Sequence, residues 1–199
     1  MNHPVIGELH PTSEGGWKAC LSLPAFQPCY ERWTSEGKER RDTREEDERN
    51  GRFWVHLAPV RPGSDLTRGR PAREEDTAPP TGAQVAAIDY VLKNQESVAR
   101  ELAAALVREA PDVYHWDYLE DSLSEDMILR LATPEGIMQV VELQSLMVNN
   151  SGDEECALIG FSFHSELLEP EHGVGVIMHR DRVLVVGTWD ELMDLAGPC

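Results

Sequence analysis

Residues 155–187 read ECALIGFSFHSELLEPEHGVGVIMHRDRVLVVG and hold the densest apolar periodicity in the chain. Every second residue from 157 to 163 is apolar, and a period of two is typical of a β-strand with one apolar face. The pattern breaks at 165–170 and resumes on both sides of Arg180 and Asp181. The stretch therefore predicts a strand followed by a hairpin.

Residues 183–186 are apolar at four successive positions. A continuous apolar run is typical of a strand that is covered on both of its faces. We therefore expect this strand to lie at the centre of a sheet.

Residues 81–110 are the clearest helical segment. Apart from Gln95, the residues that recur at steps of three and four are apolar, which predicts one face packed on the sheet. Thr81 can cap the start, and Pro111 is expected to end the helix. Asn94 and Gln95 predict a break into two shorter helices.

Shorter segments complete the predicted fold. Strand-like apolar runs occupy residues 5–9, 17–23 and 53–57, residues 127–132 alternate in polarity, and another strand is expected to end near Val148. Thr133 and Pro134 predict the start of a short helix. Thr188 and Glu191 have the spacing of a capping box for a short C-terminal helix.

Together these elements predict an α+β fold. We expect an antiparallel β-sheet, one long helix that breaks near residue 94 and packs on the sheet, and a short C-terminal helix. The length of 199 residues fits one domain. Within it, residues 1–57 supply N-terminal strands with a charged loop at 34–51, residues 58–81 resemble a flexible linker, and residues 82–199 supply the helix and the central sheet.

Most of the negative net charge lies in the second half of the chain. Residues 1–82 carry 12 Lys and Arg against 14 Asp and Glu, which leaves −16 of the total net charge of −18 for residues 83–199. Such a field repels nucleic acid and anionic membranes, and it speeds the approach of a basic protein. A basic protein partner is therefore expected, with no nucleic acid and no membrane.

The four cysteines, at 20, 29, 156 and 199, are widely spaced and include no Cys-x-x-Cys pair. This spacing supports neither a zinc ribbon nor a redox motif. Neither a signal peptide nor a run of 18 apolar residues is seen. We expect a cytoplasmic protein with reduced thiols and no cofactor.

Residues 111–126 interleave carboxylates with aromatic rings. Because such a combination can hold lysine and arginine side chains, this segment is the predicted partner-binding face. Its residues are Asp112, Tyr114, Trp116, Asp117, Tyr118, Glu120 and Asp121. The segment contains no glycine, so it does not match an EF-hand calcium loop.

A second group of potential ligands follows the first strand of the 155–187 stretch. His164, Glu171, His172 and His179 could share a metal ion if neighbouring strands brought them together. None of the histidine pairs has the one-turn spacing of a zincin helix. The alternative is a structural turn whose side chains bond to loop backbone.

The same segment resembles a family of uncharacterised bacterial domains with a signature of the type Trp-Asp-Glu-Glu-His-Gly-Leu-Gly-Val. The residues that match this signature are Glu171, His172, Gly173, Gly175 and Val176, whereas Leu168 stands where tryptophan is usual and Glu169 and Pro170 stand where the acidic pair begins. The predicted motif turn consists of Glu169, Glu171, His172, Gly173 and Gly175. Residues 84–90 are similar to the family's Gln-x-x-Ala-Ile helix, so the resemblance covers roughly residues 80–190. It implies an antiparallel sheet with helices packed on it, no established activity, and, by analogy of class, an immunity or defence role.

Three functions follow from these patterns. The favoured one is a non-enzymatic, immunity-like binding protein that neutralises a basic partner through its acidic and aromatic face. The second is a metal-assisted hydrolase that uses Glu171, His172 and His179. The third is a scaffold in which the turn formed by Glu171, His172 and Gly173 only holds two strands together. Oligomeric state stays open at this point.

Overall fold

Residues 1–13, 15–26, 51–58, 78–114 and 123–195 are described by the computed structural model. In these ranges a seven-stranded sheet has the order β3-β4-β5-β6-β7-β8-β9, and β1 and β2 form a separate small hairpin. The strands are β1 (Asn2–His3), β2 (Gly7–Glu8), β3 (His10–Pro11), β4 (Trp17–Ser22), β5 (Arg52–Leu57), β6 (Glu142–Gly152), β7 (Ala157–Ser165), β8 (Glu169–His179) and β9 (Arg182–Thr188). All neighbouring strands of the large sheet are antiparallel except β5 and β6, which confirms the predicted α+β class.

The helices fill the connection between β5 and β6 and follow β9. They are α1 (Gly82–Lys93), α2 (Gln95–Val113), α3 (Glu125–Leu131), α4 (Pro134–Ile137) and α5 (Trp189–Leu195), with a 3-10 turn at Pro24–Phe26. None of these helices is both long enough and apolar enough to cross a lipid bilayer. α1 contacts β6 and β7, and α2 contacts β9, so both helices pack on one face of the sheet.

The predicted strand at residues 157–163 is confirmed as β7. Phe161 and Phe163 are fully buried on the face that carries the main core, and Phe26 stacks on Phe161 with ring centroids 5.7 Å apart. Gly160 and Ser162, on the opposite face, are also buried. The strand is therefore covered on both faces, although its sequence predicted a single apolar face.

The predicted hairpin around Arg180 is confirmed, but the prediction that residues 183–186 form a central strand is wrong. β9 is the last strand of the sheet, and Leu184 and Val185 are 43% and 37% exposed. An apolar run is compatible with any strand whose faces are partly covered, so it does not distinguish a central strand from an edge strand.

The helix pair begins and breaks where the sequence predicted. The Thr81 hydroxyl accepts from the Gln84 N–H, and the Gln84 side chain accepts from the Thr81 N–H, which completes a capping box. Asn94 leaves the helical conformation, and its side chain donates to the Tyr90 carbonyl at 2.8 Å. Pro111 does not end α2, because it lies in the last turn, which runs on to Val113. In the last turn, the missing backbone N–H of a proline removes only one hydrogen bond of the helix.

Two shorter predictions need correction, whereas the predicted short helix after Thr133 is confirmed as α4. Residues 127–131 lie in helix α3, whose N-terminus is capped by Ser124, because their apolar side chains follow a helical period. Residues 5–9 do not form one strand, because they are divided between a turn and β2. The strand that pairs with β4 at this edge of the sheet is the two-residue β3.

Helix α5 lies on a strip of small residues. A Cβ atom built at Gly160 would be 3.2 Å from the Trp189 ring, and one built at Gly175 would be 2.7 Å from Cδ1 of Leu192 and 3.1 Å from Cα of Trp189. Gly187 continues the strip on β9, beneath Leu192. Because these positions lack side chains, the helix can lie directly on β7, β8 and β9.

We expect Gly175→Ala to lower the free energy of unfolding by about 1–3 kcal/mol, the usual cost of overpacking. The added methyl group would meet backbone of α5 as well as the mobile end of Leu192, so α5 must shift. Chemical denaturation measures the loss. Gly82→Ala is the control, because nothing lies within 4 Å of the Cβ position there, and no destabilisation in either variant would contradict this packing.

Candidate functional site

The motif turn forms a bulge between β7 and β8. Phe163 pairs with Val174, and the next pair is Ser165 with Glu169, so the single residue His164 faces the four residues 170–173. Gly173 closes the bulge with a φ of 69°, a conformation that suits glycine. We call residues 169–173 the EPEHG bulge.

Hydrogen bonds fix the shape of the EPEHG bulge. Oε1 of Glu169 accepts from the N–H groups of Glu171 at 3.4 Å and His172 at 3.3 Å. Just before it, the buried Ser165 hydroxyl accepts from the Leu168 N–H at 3.0 Å and donates to the Val140 carbonyl at 2.8 Å. The bulge is therefore a defined turn, in which the side chain of Glu169 bonds to loop backbone.

His172 connects the EPEHG bulge to helix α5. Its Nδ1 atom lies 3.0 Å from Oδ2 of Asp190, and its Nε2 atom lies 3.9 Å from Oε2 of Glu171. The hydrogen bond with Asp190 is the main cause that raises the pKa of His172, and the charges of Glu169, Asp190 and Glu171 add to it. The imidazole thus gains a proton more readily than a free histidine does.

Tyr114 joins the C-terminal end of α2 to the same region. Its hydroxyl donates to the Gly187 carbonyl at 3.0 Å, and the residue is only 4% exposed. Burial raises the pKa of Tyr114, and the negative charges of Glu169 and Glu191 raise it further. The hydrogen bond attaches the end of α2 to the last part of β9, directly before α5.

The structure thus places the EPEHG bulge beside the first turn of α5. We call the resulting surface the acidic pole. Its carboxylates are Glu169, Glu171, Asp190 and Glu191, of which all but the half-buried Glu169 are exposed. His172 lies among them, 53% of its side chain exposed.

The predicted partner-binding residues differ in their exposure to solvent, and most of them lie outside the described part of the chain. Asp112 is exposed at the end of α2, whereas the ring of Tyr114 is buried and is not available to a partner, which corrects that prediction. The others lie outside the described residues: Trp116, Asp117, Tyr118, Glu120 and Asp121.

The predicted metal ligands do not converge. His172 and His179 lie seven residues apart on β8, a distance of roughly 20 Å at the usual rise of a strand. His179 instead contacts the Cys156 carbonyl at 3.1 Å and Oδ2 of Asp153 at 3.3 Å. His164 is on β7, opposite Glu142 in the register. In the described part of the chain, no group of three or more His, Cys, Asp or Glu residues is arranged to hold a metal ion.

Asp190 and Glu191 were not among the predicted site residues. The sequence marked them only as the start of a helix, and the reciprocal contacts of Thr188 and Glu191, both 3.4 Å, confirm that capping box. The sequence feature that could have identified them is the acidic pair that they form in the first turn of that helix. Its proximity to His172 depends on how α5 packs on the sheet.

Comparison with known proteins gives a family but no activity. The profile of the family described as Domain of unknown function (DUF6985) matches residues 48–193, most of the chain, so the chain belongs to that family. No curated protein and no solved structure matches. The matched range includes every residue of the acidic pole and begins just before β5.

The His172–Asp190 contact predicts a dependence of stability on pH. Because folding raises the pKa of His172, the contribution is complete below the pKa of the unfolded chain, about 6.5, and is lost as the pH rises through the higher folded value. We expect the His172 resonances in an NMR titration to have a midpoint above that of a free histidine, and Asp190→Asn to lower it. Asp126→Asn, another exposed carboxylate, is the control; the same midpoint in wild type and Asp190→Asn would contradict the contact.

Tyr114→Phe tests the attachment of α2. We expect it to destabilise the fold by about 1–2 kcal/mol, because the buried Gly187 carbonyl loses its donor. Tyr90→Phe, at a half-buried tyrosine on α1, serves as the matched control. Equal stability of Tyr114→Phe and wild type in denaturant titrations would show that the hydroxyl contributes nothing.

Proposed function

We propose that this member of the DUF6985 family is a non-enzymatic binding protein that takes a basic protein partner at its acidic pole. The observation that supports this most is convergence: the EPEHG bulge and the start of α5, which are separated in the sequence by most of β8 and by β9, meet at the contact of His172 with Asp190. A surface of clustered carboxylates attracts lysine and arginine side chains.

The charge of the acidic pole is only partly compensated from within. In the described part of the chain, the ion pairs that involve the pole are those of His172 with Asp190 and Glu171. The pole also lies in the half of the sequence that carries −16 of the net charge. A cationic partner therefore meets a local negative surface inside a negative long-range field, which favours fast association at low ionic strength.

His172 adds a second property to this surface. When its imidazole is protonated, it neutralises one charge of the pole and holds Asp190. Deprotonation removes that competing cation. We therefore expect a basic partner to bind more tightly as the pH rises through the pKa of His172.

The finer form of the proposal is an immunity-like role, in which the acidic pole neutralises a basic protein by covering its cationic surface. Residues 115–122 follow Tyr114 directly and continue the acidic and aromatic sequence. Their composition fits the same partner chemistry.

Charge-neutralising variants test the proposal. In the pole variant, Glu169→Gln, Glu171→Gln and Asp190→Asn keep hydrogen-bonding side chains while removing three charges. In the control variant, Glu96→Gln, Glu101→Gln and Glu154→Gln remove three charges from exposed positions on α2 and the β6–β7 turn. Each protein is used to capture partners from a lysate of the native host at low salt, and affinity for an octalysine peptide is measured alongside.

We expect the pole variant to lose at least about tenfold in affinity, since each good charge contact is worth about 1 kcal/mol or more. The control should retain its affinity, and added salt should weaken the wild-type complex. Equal losses in the two variants would show that only net charge matters. Binding that does not respond to salt would contradict an electrostatic partner site.

A further inference from the structure

β9 leaves one side of the sheet without a strand partner. It pairs with β8 on its inner side and is the last strand of the sheet in the described residues. Its seven residues read RVLVVGT, and the four from 183 to 186 are apolar. Leu184 and Val185 are two of the most exposed large hydrophobic residues in the described part of the chain.

The two edges of the sheet differ in their protection. β3, at the opposite edge, is only two residues long and ends in Pro11, and short length and proline both discourage pairing with another chain. β9 has neither feature, and its only charged residue is Arg182 at the start. The register shift near Met178 leaves Leu184 without a partner on β8. The irregularity in the register therefore places the apolar side chain of Leu184, and no charged side chain, at this edge of the sheet.

The charges at the two ends of β9 are complementary. At the first end, Arg180 and Arg182 flank Asp181, which leaves a formal charge of +1, and Asp190 and Glu191 follow just after the other end. In an antiparallel pair of two β9 strands, the Arg182 end of each copy lies against the acidic end of the other. A parallel pair would place like charges together.

We propose that β9 pairs antiparallel with β9 of a second copy of this chain, joining two sheets across a twofold axis. Such a contact is isologous, so both copies use the same surface and the assembly closes at a dimer. Residues 183–186 form the centre of the pairing, because the Gly187 carbonyl already accepts from Tyr114. This proposal rests on the edge strand and on the charges at its two ends, although Asp190 and Glu191 also belong to the acidic pole, and it does not depend on the proposed function.

The mass of the full chain in solution tests the pairing directly. We expect sedimentation velocity to show a dimer that dissociates on dilution, and the backbone amides of β9 to gain protection from hydrogen exchange as the protein concentration rises. A wild-type chain that stays monomeric at all concentrations overturns the proposal.

Substitutions locate the interface. Val185→Lys should weaken the dimer at least about tenfold, because an ammonium group would lie against an apolar strand. Leu129→Lys is the control, since Leu129 is 63% exposed on α3. Circular dichroism verifies that both variants fold. A dimer that resists Val185→Lys, or that Leu129→Lys disrupts equally, overturns the proposal.

A charge exchange tests the antiparallel direction. Arg182→Glu should weaken the dimer, and Arg182→Glu combined with Asp190→Lys should restore it at least in part. Unchanged dimerisation of Arg182→Glu would overturn the antiparallel arrangement of the ends.

Discussion

The close packing of α5 on Gly160, Gly175 and Gly187 is the contact on which the rest of the site depends. Side chains at Gly160 and Gly175 would hold the helix away from the sheet, because atoms of Trp189 and Leu192 lie within 3.3 Å of the Cβ positions there, whereas a Cβ atom at Gly187 would be in ordinary contact with Leu192. With the helix seated, Asp190 reaches His172, and the negative charge of Glu191 raises the pKa of Tyr114. The acidic pole is therefore a product of tertiary packing, and neither of its two segments forms it alone.

Local chemistry explains which parts of the fold could be predicted. Thr81 and Gln84 carry their own capping box, Asn94 bonds back to Tyr90, and β7 has an alternating pattern, so each feature is determined by residues within a few positions. The edge position of β9 could not be predicted, because strand order depends on contacts between distant segments. Pro111 does not end α2, because a proline in the last turn of a helix removes little stability.

The candidate site shows the same difference between features set by neighbouring residues and features set by contacts between distant segments. The sequence marked Glu171 and His172 as a turn and Glu191 as part of a capping box, but it gave no sign that this turn lies beside that helix. It also suggested a shared site for His172 and His179, which lie far apart along β8. Membership of the DUF6985 family names no activity. The function proposed here therefore rests on the chemistry of the surface: clustered carboxylates, one histidine that adjusts their charge, and a negative field around them.

The most direct measurement is an NMR titration of the ¹⁵N-labelled chain with a lysine-rich peptide. The account predicts that chemical-shift changes concentrate at residues 169–173 and 188–191, the two segments that form the acidic pole. Changes spread over all exposed carboxylates, or concentrated on the outer face of α2, would contradict it.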